Sequence, residues 1–69
     1  MSTEIKVGSV VYHRVGIIPG PGFVKSIRNE YGFDVYYVDW QSRDADPMPH
    51  TAKSIIHHVE KHALDKSNE

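Results

Sequence analysis

Five histidines, nine carboxylates and no cysteine are the groups with which this 69-residue chain could do chemistry. His58 and His62 stand four apart, a spacing that puts two imidazoles on one helical face, as at the start of a metal site. His57 and His58 would point to opposite faces of a strand. No spacing supplies a third ligand, so neither metal nor cofactor is expected. Without cysteine there is no thiolate nucleophile, no disulfide and no thiolate zinc site. Ser9, Ser26, Ser42, Ser54 and Ser67 have no motif around them that resembles a nucleophile elbow. Asp34 and Asp39 fall on opposite faces of a strand, which prevents them from working as an acid–base pair. Asp44 and Asp46 belong to a polar loop, where charge is ordinary. The glycines of residues 15–22, Gly16, Gly20 and Gly22, have no Lys-Ser or Lys-Thr directly after them and match neither phosphate fingerprint. The chain is therefore expected not to be an enzyme.

Surfaces remain. Tyr12, Phe23, Tyr31, Phe33, Tyr36, Tyr37 and Trp40 are rich enough to build a cage for a cationic, methylated ligand. A small domain also needs such residues as core. Lys25, Arg28 and Tyr37 could combine phosphate contact with base stacking on single-stranded nucleic acid. Against this, the formal charge is -1, and a dedicated nucleic-acid binder usually carries a basic excess. Ile17 and Ile18 lie in the glycine–proline loop, either folded back as a lid or left exposed; the lid is the favoured reading. The candidate contacts with a protein partner are Ile17, Ile18, Phe33 and Tyr37.

The element that must position these groups is residues 33–40. It concentrates Val, Tyr, Phe and Trp, whose stiff or flat side chains favour a pleated surface. One face holds Asp34, Tyr36, Val38 and Trp40; the other holds Phe33, Val35, Tyr37 and Asp39. Both faces are mostly apolar, so the strand needs cover on both sides or keeps one for a partner. We place Tyr36, Val38 and Trp40 toward the core and Tyr37 outside. Residues 5–14 read as a first strand, bent or bulged at Gly8. Residues 23–28 read as a second strand. There Val24 and Ile27 differ in parity, which calls for a bulge if both are buried. Residues 29–32 connect it to the central strand as an antiparallel hairpin. Residues 48–51 fit a short fourth strand. For residues 51–66 two readings compete. Ala52, Ile55, Ile56, Val59 and Ala63 fit a helical stripe; a tight turn at 52–54 followed by a strand over 55–59 closes the barrel and covers the second edge of the central strand, and we adopt it.

The length predicts one domain with a small core, since a chain of this size buries only roughly 60% of its unfolded surface. Residues 1–4 are expected to fray, 5–60 to form the domain and 61–69 to be a polar tail. No run approaches the about 20 apolar residues that span a membrane. The polar N-terminus lacks a signal-peptide core, and a cytoplasmic location is expected.

Taken together, Val7 to His13, the glycine loop, Gly22 to Ile27, Tyr36 to Trp40 and the turn and strand within residues 52–59 resemble SH3-like small barrels. The pattern is similar to Tudor and KOW modules and to the RNA-polymerase-interacting domain of CarD-type proteins. Ser9 stands where those families usually have Asp, and the glycine loop is longer and carries prolines. The resemblance implies an all-β, SH3-like barrel of about five antiparallel strands with a short 3-10 turn before the last. It also implies a module that binds proteins, peptides or nucleic acids. Such a barrel can form a catalytic pore by oligomerising, as in the plasmid-borne dihydrofolate reductases, but their Val-Gln-Ile-Tyr signature is absent. The expected function is a non-enzymatic interaction module that binds a protein partner or itself. Nucleic-acid binding and a methyl-ligand cage are the alternatives.

Overall fold

The computed structural model describes residues 4–67. The chain runs β1 (Val10–His13), β2 (Gly22–Glu30), β3 (Phe33–Trp40) and β4 (Met48–His50). A 3-10 turn (Ala52–Ser54), β5 (Ile55–His57) and an α-helix, α1 (His58–Ser67), complete it. All pairings are antiparallel, and the sheet order is β4-β3-β2-β1-β5. The fold is mainly β. Among the described residues no helix is long and apolar enough to cross a membrane.

The closed barrel expected from the resemblance is replaced by one open sheet, with β4 and β5 as its two edges. The sheet is nonetheless curled. β1 and β4 stand three strand steps apart, roughly 14 Å in a flat sheet. Yet the rings of His13 and His50 lie 5.6 Å apart. Inside the curl sit Val11, Val24, Val38, Trp40 and Ile55, with Ile5, Ile18, Ile27, Tyr36 and Met48 packed around them. The expected inward set of Tyr36, Val38 and Trp40 is therefore in place.

The β2–β3 hairpin is the longest pairing, from Gly22 opposite Trp40 to Glu30 opposite Phe33. The expected bulge is present. Val24 faces Val38 and Ser26 faces Tyr37, leaving Lys25 as the extra residue. The extra residue reverses the parity of β2, so that Val24 and Ile27 both reach the core. Gly22 is required by close approach: a Cβ there would lie 2.5 Å from Val38 Cγ1 and 2.7 Å from Trp40 Cε3. The connection is shorter than expected, just Tyr31 and Gly32, both in the left-handed region with φ of 57° and 83°. That is the type I′ pattern that matches strand twist.

Four further sequence expectations need correction. The first strand begins at Val10 rather than residue 5, because residues 6–9 form a turn. Ser9 N–H donates to the Lys6 carbonyl, and Gly8 has φ of 92°. The paired isoleucines separate: Ile18 packs on the core, while Ile17 is 75% exposed. The last strand stops at His57 rather than residue 59. The expected polar tail is mostly α1, and residues 68–69 and 1–3 lie outside the described residues. The helix has a cap that the sequence pattern hides: Val59 N–H donates to His57 Nδ1 at 3.2 Å. Lys61 and Asp65 add an ion pair one turn apart, 3.2 Å between Nζ and Oδ2.

Two substitutions test this account by denaturant unfolding. Gly22→Ala forces a methyl group into Val38 and Trp40, and is expected to destabilise the fold by about 1–3 kcal/mol. Tyr31→Asn places a residue that tolerates the left-handed region before Gly32. It is expected to stabilise the fold by up to about 1 kcal/mol. An unchanged midpoint in either variant would contradict the corresponding geometry.

Candidate functional site

Phe33, Asp34 and Tyr36, from the first half of β3, lie beside the 3-10 turn. Between them and Thr51, Ala52 and Lys53 lies a groove of about 470 Å³ with a mainly apolar lining. Phe33 is 48% exposed, far more than the core aromatic Trp40. Tyr31, from the hairpin tip, stacks obliquely on Phe33 at 6.2 Å between centroids. Asp34 accepts a hydrogen bond from Asn29 Nδ2 across the hairpin, 3.2 Å. Asp34 and Lys53 thus place opposite charges on the two walls of an apolar floor.

Behind one wall is a buried polar cluster. Trp40 is 2% exposed, and its indole N–H donates to His50 Nε2 at 3.0 Å. The Trp40 and His50 rings meet edge-on at 5.4 Å. His13 completes the cluster, 6.1 Å from Trp40, with its Nδ1 buried and unpaired. Burial first, then the charges of His13 and Arg43, hold His50 below the ordinary histidine value.

The outer face of the hairpin carries a second network. The Tyr37 hydroxyl is 3.2 Å from both oxygens of Glu30. The Arg28 guanidinium lies over the Tyr37 ring, 5.3 Å from its centroid. Partial burial, followed by the bond to Glu30, raises the Tyr37 phenol above its ordinary value, while Arg28 opposes the shift. Of the proposed nucleic-acid trio, Arg28 and Tyr37 are thus together, with Arg28 on the ring face that a base would use. Lys25 is the bulge residue, next to Ser26, which lies opposite Tyr37.

A third feature is a cleft of about 390 Å³ lined by Tyr12, His58, Lys61, His62 and Asp65. His58 and His62 do share a helical face. Among the described residues, however, no group of three His, Cys, Asp or Glu side chains could hold a metal ion. Asp65 is engaged by Lys61, and the Lys61 Nζ lies 5.6 Å from the centre of the Tyr12 ring.

The four expected partner contacts therefore divide. Phe33 borders the groove, Tyr37 is held in the outer network, and Ile17 and Ile18 belong to the loop after β1. Asp34, Thr51, Ala52 and Lys53 were not anticipated from the sequence, and neither was the pairing of Trp40 with His50. The one available signal was that a buried indole N–H needs an acceptor. Comparison with known protein families, curated proteins and solved structures gives no match.

The Tyr37 network makes a signed prediction. Glu30→Gln removes the anion that raises the phenol and is expected to lower the Tyr37 pKa. Arg28→Ala removes the cation that opposes it and is expected to raise that pKa further. Ring resonances followed through alkaline titration read both; shifts of the same sign would exclude the network.

Proposed function

We propose that this chain is a non-enzymatic interaction module of the cytoplasm, related in architecture to SH3-like small barrels. In this reading its groove receives an extended segment of a protein partner. The strand order, with a 3-10 turn between β4 and β5, supports the architectural part. The observation that carries the functional part is the half-exposed Phe33 beside an apolar groove. Aromatic residues that border an apolar depression are the usual anchors of a partner's side chain. Asp34 and Lys53 can pair with the polar backbone or charged flanks of an extended segment, whose apolar side chain fills the floor.

The groove fits the other ligands less well. A nucleic acid would meet Asp34 as well as Lys53, so its phosphates gain little from the pair. A methylated cation would meet two aromatics there, Phe33 and Tyr36, and the positive charge of Lys53. Of the remaining aromatics, Trp40 is in the core, Tyr37 is held by Glu30 and Arg28, Tyr12 lies under Lys61, and Tyr31 leans on Phe33 at the hairpin tip, while Phe23 is exposed on β2 and does not line the groove.

Selection of peptides from a random display library against the whole chain tests the proposal. Recovered peptides are expected to share an apolar anchor. Phe33→Asp is expected to weaken their binding at least about tenfold, about 1.4 kcal/mol, with little change in the unfolding midpoint. Peptides bound equally well by the variant would reject the groove. Solution mass over a dilution series separates a second copy from a different partner: Phe33-dependent self-association would make the occupant another copy of this chain.

A further inference from the structure

We propose that His13, His50 and Trp40 form an acid-sensitive latch that sets the shape of the groove between β3 and the 3-10 turn. The inference rests on the groove reading for its consequence, but not for its chemistry.

The chemistry follows from donor and acceptor identity. An indole N–H can only donate. Since Trp40 Nε1 is 3.0 Å from His50 Nε2, that nitrogen must carry a lone pair, and the proton of neutral His50 is on Nδ1. An imidazolium has two N–H donors and no acceptor. Protonated His50 would therefore set N–H against N–H within a buried contact. The second imidazole makes charging harder still. His13 meets His50 edge-on at 5.6 Å and has its own Nδ1 buried without a partner.

The groups around the cluster favour the same neutral state. The charges that act on His50 are His13 from β1 and Arg43 from the loop after β3, and both disfavour its cation. Tyr36 lies opposite His50 on β3. Arg14, next to His13, is turned to the Ile55 carbonyl, Nη2 to O 3.2 Å. His50 therefore binds fewer protons in the folded protein than in the unfolded chain below the ordinary histidine value of about 6.5. The contribution of His50 to stability is complete above that pH. It is lost as pH falls toward the lowered folded value.

The consequence for the groove follows from chain connectivity. Thr51, Ala52 and Lys53, one whole wall, come directly after His50. Tyr36 of the other wall is its cross-strand partner. β4 is three residues long and its middle residue is Pro49, which has no N–H to give to the ladder. The His50 side chain is thus a principal anchor of this edge, and its protonation releases both β4 and the wall that follows.

The chain has one tryptophan, so the latch can be read directly. Wild-type protein would be titrated from about pH 7.5 to about pH 5, following Trp40 emission, far-ultraviolet circular dichroism, the His50 ring resonances and the Thr51 and Ala52 amides. The expected result is a red shift of Trp40 and movement of both amides, sharing the His50 midpoint while the circular dichroism is retained. His50→Gln is the matched variant, because its Oε1 can accept the indole N–H and does not titrate. It is expected to abolish the step.

A flat wild-type titration, a step that persists in the variant, or global unfolding at the same midpoint would each overturn the latch. If the variant does not fold, the wild-type titration still decides, because amides that move with a midpoint different from that of His50 reject it. Failure of the peptide selection would leave these resonances unchanged, so the two readings fail separately.

Discussion

A buried indole N–H must be given an acceptor, and meeting that need at Trp40 ties distant parts of this small sheet together. Trp40 is among the largest fully buried side chains of the core. An unsatisfied N–H at such a site would cost about 1–3 kcal/mol, a large share of the stability of so short a chain. The acceptor comes from β4, a strand too short and too poor in donors to hold its place by ladder bonds alone. Trp40 thus fixes β4 through His50, and His50 in turn meets His13 on β1, three strand steps away. The curl of the sheet and the satisfaction of the indole are one arrangement. A flatter sheet would separate these rings and open the core.

Imidazole is a particular choice of acceptor. It serves only while unprotonated at the accepting nitrogen, and the chain uses it in that role twice: His50 Nε2 for the indole, and His57 Nδ1 for the first turn of α1. His13 adds a third ring packed in the same cluster. A histidine content that reads as a hint of metal chemistry is therefore largely committed to architecture, with His58 and His62 left on the helix surface. The stacking of His57 on His58, 4.7 Å between centroids, continues this use of imidazole as a flat packing element at the strand-to-helix junction.

The extent to which these features were legible differs residue by residue. The central strand, its inward face and the bulge before Ile27 follow from side-chain type and a period of two, both local properties. The turn at residues 52–54 and a strand after it were legible, but not the strand's place: expected on the second edge of β3, it pairs with β1, and β4 takes that edge. The helix was half legible: Val59 and Ala63 belong to the helical stripe weighed for residues 51–66, but its start depends on a histidine acting as cap, which pattern rules assign to Ser, Thr, Asp or Asn. The groove was half legible. Phe33 stands out as an apolar residue on a two-faced strand, but Thr51, Ala52 and Lys53 look like ordinary loop residues. The sheet curl brings the 3-10 turn over β3, and curl is a property of long-range packing. Tyr37 misled for a related reason: its value as a contact depended on neighbours, Glu30 and Arg28, that one strand's alternation does not reveal.

Those neighbours also explain where apolar surface on β3 is left exposed. A strand apolar on both faces needs cover, and on the outer side the Tyr37 ring is overlain by Arg28 and its hydroxyl is tied to Glu30. The outer face is thereby made compatible with water through polar tips on apolar bodies. Apolar surface stays open at the start of β3, where half-exposed Phe33 lines the groove beside the 3-10 turn. The far wall there is three residues long and is held between His50 and buried Ile55. A wall so short can move only as its two anchors permit, and its backbone cannot adapt freely to different occupants. In the proposed reading, selectivity rests on Phe33, Asp34 and Lys53, exposed side chains that line the groove.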